Sequence, residues 1–214
     1  MRTKRTMMLA GLTAAVLSAG LWVLVPAWGG QAPAAQKMAG MAGMAGMSPG
    51  NGNQVLTKDI AEAREATAQY ATNLGKAKAN GYRIITKMMP NMGYHFLNPN
   101  ISGFDVTKPP ILVYEHRGNT WQLGALEWVF TSMPASVPLP NATFGSFPAA
   151  CHYADGTFVP DETAATCPTT APGSNAKFTF WHPDLITMHV WIWYPNPAGL
   201  YSSTNPDVAP FNRG

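Results

Sequence analysis

The stretch ILVYEHRGNTWQLGALEWVF, residues 111–130, decides the fold. Ile111 to Glu115 is a run of β-branched, aromatic and apolar residues, the composition of a strand. Gly118-Asn119 marks a turn, and Trp121 to Phe130 predicts a second strand, so the segment reads as a β-hairpin. Side chains alternate along a strand, which puts Trp121, Leu123, Ala125, Glu127 and Val129 on one predicted face. Glu127 sits there between Leu126 and Trp128, with no charge nearby in sequence. A carboxylate on such a face must be paired, metal-bound or protonated, because an isolated buried charge is costly.

Working outward, a helix precedes the hairpin. Thr57 is its predicted N-cap, with Asp59 and Glu62 in the first turns. Ile60, Ala63, Thr67, Tyr70 or Ala71, Leu74 and Ala77 recur at helical spacing, and Gly81 is placed to stop the helix. Three further strands are predicted, over Ile84–Met88, Lys177–Trp181 and Ile186–Tyr194. Pro134, Pro138, Pro140 and Pro148 lie in a long crossing, and the tail to Gly214 reads as irregular. One helix followed by hairpin-like strands predicts an α+β fold: an N-terminal helix packed on a small antiparallel sheet, with long Pro-rich loops.

The chain has 214 residues, of which 12% are charged and 46% hydrophobic. So little charge, with seven Trp and nine Phe, argues against disorder throughout. The net charge of +3 comes from the start of the chain. Without Arg2, Lys4 and Arg5 the 14 basic residues fall to 11, equal to the 11 acidic ones. A nucleic-acid partner held by a basic surface is therefore disfavoured. Those three charges precede an apolar run from Met7 to about Val25, followed by the small residues Ala27, Gly29, Ala32 and Ala34. This is the pattern of an export signal, either cleaved or kept as a membrane anchor, over residues 1–30. It predicts a secreted, periplasmic or otherwise extracytoplasmic protein that meets the membrane only through that segment. A Gly-rich linker over 31–53 follows, with Met38, Met41, Met44 and Met47 in repeated Met-Ala-Gly units, and then one domain over 54–214.

Cys151 and Cys167 are the two cysteines, and in an exported chain they predict one disulfide. The residues between them read as a loop, which makes His152 a surface residue. His116, in the hairpin turn, is likewise read as surface.

The remaining polar residues on apolar segments are the candidate chemistry. His189 shares a predicted strand face with Thr187, Trp191 and Trp193. His95 lies among aromatics in the loop MGYHFLNP, residues 92–99, and His182 just precedes the last strand. An antiparallel sheet can bring Glu127 and His189 together with His95 over them, with His182 or Glu115 as a fourth group. Two imidazoles and a carboxylate suit copper, zinc, manganese or iron, and leave coordination positions open. Copper is favoured slightly, because Met thioethers in the linker are soft ligands. Tyr114 or Glu115 beside an open position would be a candidate general acid or base. Glu115 with Glu127 is also a candidate carboxylate pair for glycoside hydrolysis. No HExxH, GxSxG, P-loop or GxGxxG pattern occurs.

The segments MGYHFLNP (92–99), KPPILVYE (108–115), LGALE (123–127) and HVWIW (189–193), with NPAGLY (196–201), resemble a family of uncharacterised exported bacterial proteins. The resemblance implies no activity, but it places His95, Glu115, Glu127 and His189 inside the shared motifs. The expectation is an exported metal-binding protein. Two alternatives stand beside it. One is a non-catalytic envelope module that grips a carbohydrate or a protein with aromatic faces such as Trp121, Trp128, Trp181, Trp191 and Trp193. The other is a structural domain in which His95, Glu127 and His189 form a buried hydrogen-bond network.

Overall fold

A computed structural model describes residues 51–161 and 163–212. The predicted signal or anchor, 1–30, and the predicted linker up to residue 50 lie outside the described residues. In chain order the elements are α1 (Asn51–Thr67), a 3-10 turn (Ala68–Tyr70), α2 (Leu74–Ala79), β1 (Arg83–Ile84), β2 (Tyr94–Leu97), β3 (Ile111–Arg117) and β4 (Thr120–Phe130). Then come β5 (Gly145–Phe147), β6 (Ala150–Tyr153), β7 (Phe158–Pro160), a 3-10 turn (Ala164–Thr166), β8 (Phe178–His182), β9 (Leu185–Val190) and a 3-10 helix (Pro206–Asn212). The described residues are thus a mix of helix and antiparallel sheet, mostly sheet.

The hairpin forms as predicted, β3 and β4 pairing antiparallel around Gly118-Asn119, with Gly118 at positive φ. Four strands were not expected: β2, β5, β6 and β7. They make two sheets instead of one, a six-stranded sheet ordered β1-β2-β3-β4-β9-β5 and a three-stranded sheet ordered β7-β6-β8. The segment between the cysteines, read as a loop, contains half of β6 and all of β7, joined through Asp155-Gly156. The predicted strand over Ile84–Met88 shrinks to two residues, and the predicted strand to Tyr194 ends at Val190. The tail, expected to be irregular, winds into the last 3-10 helix.

The helical region also differs. Helix α1 starts at Asn51, so the last three residues of the predicted linker are helical and Thr57 is inside the helix. Its hydroxyl donates to the Asn53 carbonyl at 2.8 Å instead of capping an end. The helix breaks after Thr67 because Asn73 begins a new one, its side chain accepting from the Lys76 N–H at 2.9 Å. The predicted stop at Gly81 holds. Gly81 has φ +97°, and the bonds Gly81 N–H to Lys78 O and Tyr82 N–H to Ala77 O close the helix end.

Ala63, Leu74 and Ala77 share the largest buried cluster with Phe96, Leu112, Tyr114, Leu126, Trp128, Met188 and Val190. Ile85, Ile111, Val113, Ala125, Trp191 and Val208 form a second cluster, in which Ile111, Val113 and Ala125 alternate along β3 and β4 with Leu112, Tyr114 and Leu126 of the first. Residue Gly124 decides which side chains go where. Val113 pairs with Ala125 but Tyr114 pairs with Leu123, so Gly124 is a bulge with no partner. The alternation therefore changes phase. Trp121 and Leu123 join the first cluster, whereas Ala125 joins the second. The single face predicted for Trp121 through Val129 is two half-faces. The bulge's backbone groups are satisfied elsewhere: Leu123 N–H donates to Ala71 O at 2.7 Å, and Gly124 O accepts from Trp193 and Tyr194 N–H at 3.0 and 3.1 Å.

Candidate metal centre

Glu127 on β4 and His189 on β9 are direct cross-strand partners. His95 on β2 pairs with Val113 of β3, so one strand separates it from β4. That gap is roughly 9 to 10 Å, twice the strand spacing, and the two long side chains lean across it. Thus His95 Nε2 is 3.3 Å from His189 Nε2, and each lies 3.6 Å from Glu127 Oε2. All three residues are buried, at 4% exposure for each histidine and 7% for Glu127.

Both distances to the carboxylate exceed the 2.7–3.2 Å of an N–H···O hydrogen bond. The two imidazoles lie within hydrogen-bond reach of each other, and the carboxylate lies beyond that reach of both. Three atoms each about 2.0–2.1 Å from one ion lie about 3.3 Å apart in a tetrahedral arrangement and about 3.6 Å apart in a planar one. The observed triangle spans that interval, and its donors, two imidazoles and one carboxylate, suit a divalent transition metal.

Electrostatics agree with this. Burial lowers the His95 imidazole to about 4, against the pull of Glu127, so the ring is neutral at pH 7. Burial raises the Glu127 carboxyl, but His189 and His95 outweigh it and hold the group below its ordinary value, as an anion. Thr86 Oγ1 lies 2.8 Å from His95 Nδ1 and also accepts from the His95 backbone N–H at 3.1 Å. For Nε2 to bind an ion, Nδ1 carries the ring proton and donates to Thr86. His189 Nδ1 is buried and has no partner.

A cavity of about 520 Å³ opens on the triad. Its walls come from both sheets, with Ile85, Leu97, Phe147 and Phe180 among the apolar residues and Met89 and Met92 as thioethers. His182 lines this cavity, outside the group of three. His152, expected at the surface, is 1% exposed and lines it too, because β6 is the central strand of its sheet. The sequence carried a signal for this: Ala-Ala-Cys-His-Tyr is an apolar run that ends at an Asp-Gly turn. Thr86 was also missed, and nothing in its local sequence sets it apart.

Tyr114 and Glu115 do not line the cavity. Tyr114 points into the first cluster and donates to Tyr70 O at 2.7 Å. Glu115 lines a separate cavity with Arg117, Gln122 and Phe211, and burial raises its carboxyl to about 7. It is therefore no partner of Glu127. His116 is half-buried and stacks on Trp121, the ring centroids 4.1 Å apart. Cys151 and Cys167 form the predicted disulfide. Such a bond belongs to oxidising, extracytoplasmic surroundings. Among the described residues no helix is long and apolar enough to cross a membrane. Comparison of the chain with models of protein families, with curated proteins and with solved structures finds no match.

Proposed function

We propose that the protein is an exported metal-binding protein whose ion sits between His95, Glu127 and His189. The observation that carries this is the near-equilateral triangle of Nε2, Nε2 and Oε2, with edges of 3.3, 3.6 and 3.6 Å, at the wall of a cavity. A hydrogen-bonded structural triad would draw Glu127 closer. Copper is our favoured ion, supported by the Met-rich segment 38–47 and the cavity thioethers Met89 and Met92, with zinc, manganese and iron compatible with the same donors. An ion bound there supplies Lewis acidity toward a small molecule in the cavity. The chain's own residues hold it and exclude bulk water: Glu127 offsets its charge, Thr86 orients His95, and the apolar walls shield the open side. In the same reading the N-terminal helical segment covers the sheet face turned away from the triad. The chain then belongs with the exported proteins that share its motifs.

The test is elemental analysis of the oxidised protein, purified without a histidine tag. We expect close to one equivalent of transition metal, and its loss in both His189→Ala and Glu127→Ala. Folded wild-type protein that takes up no copper, zinc, manganese or iron would overturn the proposal.

A further inference from the structure

The cavity holds a second pair of imidazoles that the triad does not use. His152 on β6 and His182 on β8 belong to neighbouring strands of the small sheet. Their ring centroids are 5.0 Å apart, closer than the 5.5 Å between His95 and His189. Both residues are buried and both line the cavity.

Their protons are fixed. His152 Nδ1 donates to the Ile85 carbonyl at 2.8 Å, and His182 Nδ1 donates to the Pro183 carbonyl at 2.6 Å. A carbonyl only accepts, so in the neutral ring the proton is on Nδ1 and the lone pair on Nε2. A backbone carbonyl on the far nitrogen is also how proteins orient histidines that bind metals. Both Nε2 atoms are buried and have no hydrogen-bond partner. Aromatic packing holds the rings in place: His152 stacks on Phe180 with centroids 4.6 Å apart, and Phe147 lies 5.0 Å from His182. A purely structural imidazole in such a cluster would have turned its lone pair toward a donor.

The charge of the ligand follows from the donors. The neighbouring acid, Asp184, accepts the Ala149 N–H at 2.8 Å and lines another cavity. Among the described residues Glu127 is the one carboxylate on the cavity wall, and it belongs to the triad. The pair offers neutral nitrogen donors in apolar surroundings. The cost of desolvating an ion rises with the square of its charge, about fourfold from a monovalent to a divalent ion. Neutral, soft donors without an anion thus favour a soft monovalent cation.

We propose that His152 and His182 form a second metal site, which takes a soft monovalent cation of the Cu(I) type through their Nε2 atoms. The site is separate from the triad, whose carboxylate favours a divalent ion. The ion meets lone pairs that are already free, so binding at neutral pH releases no proton from this pair.

The test uses the oxidised full chain with 15N-labelled histidine rings, and silver(I) as a redox-silent probe. Silver is expected to shift the Nε2 resonances of His152 and His182 together while their Nδ1 nitrogens stay protonated. His152→Phe and His182→Phe should each lower bound silver by one equivalent and leave zinc(II) at one equivalent. Silver that leaves both Nε2 resonances in place overturns the site, including the case in which the Met-rich segment takes up all of it. A shift of only one ring overturns it as well. The spectra are read on wild-type protein, so a variant that fails to fold does not blunt the test. Wild-type protein that shifts both Nε2 resonances with silver but takes up no zinc would leave this site standing and count against the triad.

Discussion

At the scale of single residues, Thr86 shows how little is needed to aim an imidazole. One hydroxyl oxygen meets both the backbone N–H and the ring Nδ1 of His95. Thr86→Val keeps the shape and removes that partner. We expect metal affinity to fall about 10- to 100-fold, measured against a chelator of known affinity, at a stability cost of about 1 kcal/mol. An unchanged affinity would exclude Thr86 as a positioning residue. Glu115 makes a different prediction. Burial raises its carboxyl from 4.5 to about 7 in the folded protein. Below pH 4.5 both folded and unfolded chains hold the proton, so the group costs nothing there. Between pH 4.5 and 7 the unfolded chain ionises first, and the folded state loses about 1.4 kcal/mol of stability per pH unit. Glu115→Gln removes that loss. Its stability advantage in urea unfolding should grow from pH 4.5 to 7 and level off near about 3 kcal/mol, and a constant difference would refute the assignment. Glu127 and His189 were legible because a polar residue on an apolar strand needs a reason. Thr86 was not, since a threonine beside strands is ordinary and its partner lies nine residues on.

At the scale of elements, β2 is the instructive case. Its sequence, between Met-Pro-Asn and Asn-Pro, looks like a loop, and it becomes a strand because β3 offers it an edge. Pairing depends on contacts the local sequence does not contain. The turn that delivers it is tight. Gly93 has φ +99°, and a Cβ there would sit 2.5 Å from the Tyr114 carbonyl and 2.7 Å from Glu115 Oε1. Gly93→Ala should cost about 2 to 4 kcal/mol and also weaken metal binding, because His95 lies two residues further along. Thermal melts with and without metal would show both effects, and a melt equal to wild type would contradict the packing described. The hairpin was legible because its turn, its β-branched residues and its strand length agree. The break at Asn73 was not, because the helical spacing of Leu74 and Ala77 runs through it unaltered.

At the scale of the whole molecule, the histidines of the cavity are divided between the two sheets. The six-stranded sheet carries the triad, and the small sheet carries His152 and His182 together with the disulfide. That bond spans 16 positions, and its loss should cost about 3 kcal/mol in the chain-entropy model. Reduction should therefore lower the urea midpoint while zinc affinity of the folded protein stays within about threefold, since 1.4 kcal/mol corresponds to tenfold and no triad ligand lies on the tethered strands. A collapse of zinc affinity on reduction would show that the sheets are not independent in this respect. The α+β character and the disulfide were legible from composition, strand order and compartment. The second sheet was not, because β6, β7 and β8 are short and meet only through long-range pairing.

The bulge at Gly124 has a consequence for descent. Strand β4 is written in two phases, and one unpaired residue is the shift between them. Loss of that single codon would restore a continuous alternation, and one half of the strand would have to turn over. Either Trp121 and Leu123 leave the first cluster, or Glu127 leaves the cavity. In the second case the descendant would keep His95, Glu127 and His189 in its sequence and still have lost the triangle they form. Among relatives of this chain, the spacing from the hairpin turn to Glu127 is therefore as much a part of the site as the ligands themselves.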